Sequence, residues 1–152
     1  MRRAAISDAL TVLDILDTAA ARLVDRGIRS WPAVWRPEWI EPGLTGGHVW
    51  LAEVDGVPLA TLALHWSDPL WPDDGRAGYV HRFGAAKTGT GVGAAVLDWT
   101  ADQVRRHGRD LVRLDCAATN PALRAYYERA GFGHRGDAVQ DGHLMSRYER
   151  PA

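Results

Sequence analysis

The chain has 152 residues, 18 basic and 19 acidic, for a formal net charge of −1. That near-balance excludes the basic excess of a dedicated nucleic-acid binder, and a hydrophobic content of 46% excludes a disordered chain. The length suits a single domain over 1–152, the lone Cys116 excludes an internal disulfide, and no run approaches the ~20 apolar residues of a membrane span.

The N-terminal M-R-R-A-A-I-S-D has no long apolar run behind its arginines, and Asp8 and Asp14 interrupt a signal-peptide pattern. With a single cysteine, a reducing, cytoplasmic location is the expectation. Arg3 to Ile6 is a short strand candidate, and Ser7-Asp8 caps a helix over roughly Asp8 to Asp25. Leu10, Leu13, Leu16, Ala20 and Leu23 give its helical spacing, and Gly27 ends it. Trp31, Trp35 and Trp39 recur every fourth residue with Pro32 and Pro37 between them, which reads as short helical turns carrying an aromatic stripe. Pro42, Gly43, Gly46 and Gly47 read as a loop.

His48 to Val54 and Val57 to Trp66 are strands joined by an Asp55-Gly56 hairpin turn. S-D-P-L-W-P-D-D-G-R is a loop too polar to be core. Tyr79 to Ala85 is a buried strand that feeds a glycine-rich turn, and a helix runs from Gly91 to about His107. Leu111 to Ala117 is the next strand. Asn120-Pro121 opens a helix that ends at Gly131-Phe132. Phe132 to Arg135 and His143 to Tyr148 are strands around a turn at Gln140-Asp141-Gly142. The order β-α-α-β-β-β-α-β-α-β-β places antiparallel hairpins around a central β-α-β-α unit. The fold class is α/β, a mixed and mostly antiparallel sheet of six to seven strands with helices on both faces.

Gly89, Gly91 and Gly93 stand at alternate positions just before a helix. Glycine admits close approach of a ligand to the backbone, and free N–H groups at a helix start favour an anion. Two phosphate motifs fail. Counting from Gly89, the third glycine of G-x-G-x-x-G falls on Ala94, and the first glycine of a P-loop ending at Lys87-Thr88 falls on His81.

Downstream, Asn120, Tyr127, Glu128, Arg129, Gly131 and Phe132 stand in the pattern Asn, seven residues on Tyr, then Glu-basic-apolar-Gly-Phe. This resembles the closing motif of the GCN5-related N-acetyltransferases, the GNAT superfamily. The glycine turn resembles the same family's pyrophosphate loop, Gln/Arg-x-x-Gly-x-Gly. Gly91 and Gly93 match, while Thr88 occupies the Gln/Arg position. The two motifs occur in the family's order.

The resemblance implies an acetyl-CoA-dependent N-acetyltransferase of the GNAT fold that works by direct transfer in a ternary complex. It implies donor contacts at Phe83, Gly84, Ala85, Thr88, Gly89, Thr90, Gly91, Val92, Gly93, Ala94, Asn120 and Tyr127. A bulge at Gly84 would free a backbone N–H to polarise the thioester carbonyl. Tyr127 would protonate the departing thiolate. Y-V-H-R-F-G-A is similar to the histidine-bearing strand of serotonin N-acetyltransferase, with His81 at one catalytic histidine and Tyr79 at the other. His81 is thus the candidate base, since histidine titrates near neutrality.

The six histidines show no metal spacing, so no metal is assigned. Cys116 reads as a small buried hydrophobe rather than a nucleophile. In the family the segment after the first strand and the loop before the fourth line the acceptor site. Trp31, Trp35, Trp66 and Trp71 fall there and, with Tyr79, predict a small-molecule amine with an apolar or aromatic body. Neither nucleic acid nor membrane is an expected partner, and a homodimer accords with the family. Two rival readings are a non-catalytic acyl-CoA sensor of the same fold and a transferase for longer acyl chains.

Overall fold

The computed structural model describes residues 1–72, 74–86 and 91–152. Among them the order is β1 (Arg2–Arg3), a 3₁₀ turn (Ile6–Asp8), α1 (Ala9–Val24), α2 (Pro37–Thr45), β2 (Val49–Val54), β3 (Val57–His65), β4 (Ala77–Ala85), α3 (Val92–Arg106), β5 (Leu111–Ala117), α4 (Pro121–Arg129), β6 (Gly133–Gln140) and β7 (His143–Pro151). The sheet has the strand order β1-β2-β3-β4-β5-β7-β6. β4 and β5 pair in parallel, from Ala77 opposite Leu111 to Val80 opposite Leu114. The β1·β2, β2·β3, β5·β7 and β6·β7 pairs are antiparallel. The mixed, mostly antiparallel sheet expected from the sequence is the one observed.

Packing divides the chain into two compact units, Met1–Leu64 with Arg82–Leu97, and His65–His81 with Asp98–Ala152. In the first unit, Val12, Leu13, Ile15 and Leu16 of α1 pack with Ile40, Leu44, Val49, Leu51 and Ala63. Their spacing gives α1 an apolar stripe, which begins at Val12. Leu10, counted into the stripe from sequence, is exposed.

The tryptophan segment corrects the sequence reading. Residues 31–36 are irregular, and Pro37 opens α2 instead of ending a helix, because its fixed φ suits a first turn. Pro42 and Gly43, expected in a loop, lie inside α2. A Cβ on Gly43 would come 3.1 Å from Val49 Cγ2. Close packing of α2 on β2 therefore overrides the poor helix propensity of this pair.

β4 also departs from expectation. The irregular backbone lies at Arg82, with φ 49°, rather than at Gly84. A Cβ on Gly84 would meet Ala19 Cβ and Leu16 Cδ2 at 3.4 Å, so Gly84 marks the approach of α1.

In the second unit, Val104, Val112, Leu114, Tyr127, Phe132 and Tyr148 are buried. β6 runs to Gln140 and β7 to Pro151, both longer than expected. β6 carries a register shift between His134 and Asp137, and Gly136 there has φ 85°. This bulge broke the alternation that would have revealed the strand.

The polar loop after β3 is not wholly outside the core, since Asp68 and Trp71 are buried. Arg113 pins it. Its guanidinium pairs with Asp74 at 2.7 Å and Glu149 at 2.8 Å, donates to the Tyr79 hydroxyl at 3.1 Å and lies 4.9 Å from the Trp71 ring centroid. Charge pairing thus holds a segment whose composition suggested solvent. Among the described residues no helix is long and apolar enough to cross a membrane.

Candidate active site

The parallel register of β4 and β5 fixes the first group. The ladder ends at Val80 and Leu114, and the next residue on each strand is polar, His81 and Asp115. Asp68 reaches the same place from the loop after β3. One donor atom from each of the three lies within 4.8 Å of the other two. His81 Nε2 is 3.1 Å from Asp68 Oδ2, and the Leu70 N–H donates to Asp68 Oδ1 at 2.7 Å. The His65 ring stands edge-on to His81, with centroids 5.3 Å apart.

The two carboxylates have different electrostatics. Burial opposes ionisation of Asp68, but the His81 hydrogen bond and the Leu70 N–H outweigh it and hold this carboxyl below its usual range. Burial pushes Asp115 up to about 6, with His81 opposing and the Asp68 charge adding. One fixed anion, one histidine and one carboxyl that gains its proton near neutrality form an acid–base group. His81 was legible as a candidate. Asp68 and Asp115 were not, although an aspartate inside the mostly apolar L-V-R-L-D-C-A was the available signal. The same three groups could hold a divalent cation, a grouping the histidine spacing did not suggest.

The second group lies on β5 and α4. Tyr127 is buried, edge-on to Phe132 at 5.8 Å and tilted against Tyr148 at 6.1 Å. Burial raises its phenol far above the ordinary tyrosine value, so the group is a neutral proton donor. Tyr126, its neighbour, is only half-buried. Asn120 caps α4, its Oδ1 accepting the Leu123 N–H at 3.1 Å. Burial pushes the Cys116 thiol up to about 12, which leaves it a protonated core residue.

The third group lies in the first unit. Arg22 of α1 donates to the Ala85 carbonyl and, at 3.2 Å, to the Ala86 carbonyl. The Ala86 N–H donates to Leu59 at 2.8 Å. These bonds fix the end of the strand that carries Phe83, Gly84 and Ala85. Gly91, with φ 75°, precedes Val92, Gly93 and Ala94, the first residues of α3. Thr88, Gly89 and Thr90 lie outside the described residues.

The aromatic candidates separate. Trp31 and Trp35 are half-buried against the first unit's core, with Trp35 edge-on to Trp31 at 5.3 Å and to Trp39 at 6.2 Å. Trp66 stacks on His107 at 3.7 Å. Trp71 is buried between the guanidinium groups of Arg113 and Arg147, at 4.9 and 5.3 Å. Tyr79 is 1% exposed. The structure gives Trp71 and Tyr79 packing partners within the second unit's core, while Trp31 and Trp35 are only half-buried.

The sequence model of the acetyltransferase (GNAT) family matches residues 15–132. An uncharacterized N-acetyltransferase, YesJ of Bacillus subtilis (strain 168), is 31% identical over 157 residues, covering 95% of this chain and 87% of that protein. A GNAT-family acetyltransferase from Listeria monocytogenes superposes with a TM-score of 0.80 at 23% identity, over 99% of this chain and 93% of that one. yncA from Salmonella typhimurium, solved with its cofactor acetyl-CoA, gives 0.71 at 17%, over 99% and 91%. At these identities the structural likeness is one of fold.

Proposed function

The chain belongs to the acetyltransferase (GNAT) family, and from that premise we propose that it moves an acetyl group from acetyl-CoA to the primary amine of a small molecule with an apolar or aromatic body. The observation that carries this reading is the Asp68–His81–Asp115 group, an oriented base beside a second proton-holding carboxyl.

An amine is protonated at neutral pH and must lose a proton before attack. His81 takes it. Asp68 holds Nε2 and leaves Nδ1 as the accepting nitrogen, and its negative charge stabilises the imidazolium that forms. Asp115 relays the proton onward. The amine nitrogen then bonds to the acyl carbon, the carbon–sulfur bond breaks, the thiolate takes a proton from Tyr127, whose burial keeps it neutral until that moment, and the second proton lost by the attacking nitrogen restores the Tyr127 phenol. The strand end at Phe83, Gly84 and Ala85, the residues from Thr88 to Ala94, and Asn120 are the proposed donor contacts. Trp31 and Trp35 are the better supported acceptor contacts, since Trp71 and Tyr79 are occupied by core packing. A cytoplasmic location completes the reading, supported by the single, unpaired Cys116.

Isothermal titration with acetyl-CoA, followed by thiol release with a panel of amines, tests the proposal. Saturable binding and amine-dependent release are expected. No binding at millimolar acetyl-CoA defeats it, and binding without release for any amine favours the sensor reading. Propionyl- and longer acyl-CoA in the same assay decide the donor.

A further inference from the structure

Two hydrogen-bond donors, the Trp35 indole N–H and the Arg82 guanidinium, lie at the Trp35 ring with no acceptor among the described residues. Trp35 Nε1 is buried with no partner among the described residues. The Arg82 guanidinium lies 5.7 Å from the centroid of the Trp35 ring. Burial lowers its hold on its proton, and no carboxylate acts against that effect. Asp17 Oδ1 accepts the Trp35 main-chain N–H at 2.6 Å, and Glu38 faces Arg36 at 3.9 Å.

An indole N–H can only donate, and a guanidinium presents donors in a planar fork. Together they call for an acceptor with two oxygens and a negative charge, and a carboxylate matches both demands. The backbone supports a ligand role. Arg82 has φ 49° within β4, a conformation that a bulky residue holds only where its surroundings impose it. Trp31 and Trp39 stand edge-on to Trp35 and place an apolar surface next to the donors. In the chain, Arg82 directly follows His81.

We infer that Arg82 and the Trp35 indole N–H bind a carboxylate of the acceptor, so that the substrate class is an amine that carries a carboxylate and an apolar or aromatic group. This rests on the acceptor reading above and names the substrate class for it.

The test is calorimetric and needs no turnover. Phenylacetate and phenylacetamide, which share ring and shape but differ in charge, are titrated into the wild-type protein, Trp35→Phe and Arg82→Gln. Phenylacetate should bind wild type about ten- to hundredfold tighter than the amide, the range of a charge-assisted hydrogen-bond pair. Trp35→Phe deletes the N–H and keeps an aromatic ring. Both variants should narrow the gap by weakening phenylacetate while leaving the amide unchanged. Equal affinities in wild type, no saturable binding of phenylacetate at millimolar concentration, or a gap that survives both variants overturns the assignment. The wild-type comparison stands even if Arg82→Gln fails to fold. Acetyl-CoA titrated into the same samples separates the two readings: its failure to bind defeats the acetyltransferase proposal, whereas loss of carboxylate preference alone defeats this one.

Discussion

Asp115→Asn should raise stability and lower activity at once. The Asp115 carboxyl sits at about 6 in the folded protein, against an ordinary value of 3.8, because burial and the Asp68 charge disfavour ionisation. The folded state therefore holds a proton that the unfolded chain releases at lower pH. Between these values the native state binds more protons, so stability falls as pH rises from about 4 through 6 and stays low above. A shift of roughly two units corresponds to about 3 kcal/mol. Since Asp115 is only half-buried, solvent screening reduces this, and about 2 kcal/mol is the reasonable size. Asparagine has nearly the same shape and no charge. At pH 7.5 the variant should be more stable by about 2 kcal/mol, or roughly 4–8 °C in Tm for a chain of this size. Near pH 4, where Asp115 is protonated in the folded state and only about half ionised in the unfolded chain, most of the difference should vanish. Urea denaturation at both pH values measures the difference. Without the relay, kcat should fall about ten- to a hundredfold. A variant destabilised equally at pH 7.5 and pH 4 would refute the electrostatic argument, and full activity would remove Asp115 from the chemistry.

Other substitutions read different parts of the structure. Tyr127→Phe should lower kcat about ten- to a hundredfold with little change in acetyl-CoA affinity by titration; an unchanged kcat removes the acid role. Asp68→Asn removes the carboxylate that orients His81, so kcat should fall about ten- to a hundredfold; an unchanged kcat means that Asp68 does not support the base. Arg113→Ala leaves Asp74 without its ion-pair partner and Glu149 with Arg135 alone and should cost about 1.5–3 kcal/mol in urea denaturation. Gly43→Ala forces a methyl to 3.1 Å from Val49 and should destabilise by about 1–3 kcal/mol, whereas Gly84→Ala makes ordinary 3.4 Å contacts and should change stability by less than about 1 kcal/mol.

The order of strands and helices was legible because each element carries a local signal. Asp55-Gly56 closes a hairpin, Asn120-Pro121 opens a helix, and alternation marks the strands. What was hidden depends on distant partners. Nothing near Gly43 in sequence announces Val49, and the helix around Pro42 exists because of that contact. The loop at 67–76 looked solvated because its charges are local, while the groups that bury it, Arg113, Arg147 and Glu149, come from β5 and β7. Asp68 was missed for the same reason. Its partner His81 is thirteen positions away, and only the chain's return through β4 brings them to 3.1 Å.

β4 shows why a motif read along the chain locates chemistry better than it assigns roles. Y-V-H-R-F-G-A contains a histidine, an arginine and a glycine in four consecutive positions out of Tyr79–Ala85, and glycine is the residue that tolerates unusual backbone. Sequence reasoning therefore placed the irregularity at Gly84. The structure puts it at Arg82, a residue that gains nothing from φ 49° by itself. In a regular strand neighbouring side chains alternate between faces, and a left-handed residue suspends that rule. At this point His81 pairs with Asp68, and Arg82 turns to the Trp35 ring. If the conformation exists to place the guanidinium, Arg82→Gly should keep the backbone and acetyl-CoA affinity and lose only the carboxylate preference. Loss of acetyl-CoA affinity in Arg82→Gly would mean that the side chain itself holds the strand end, not the acceptor.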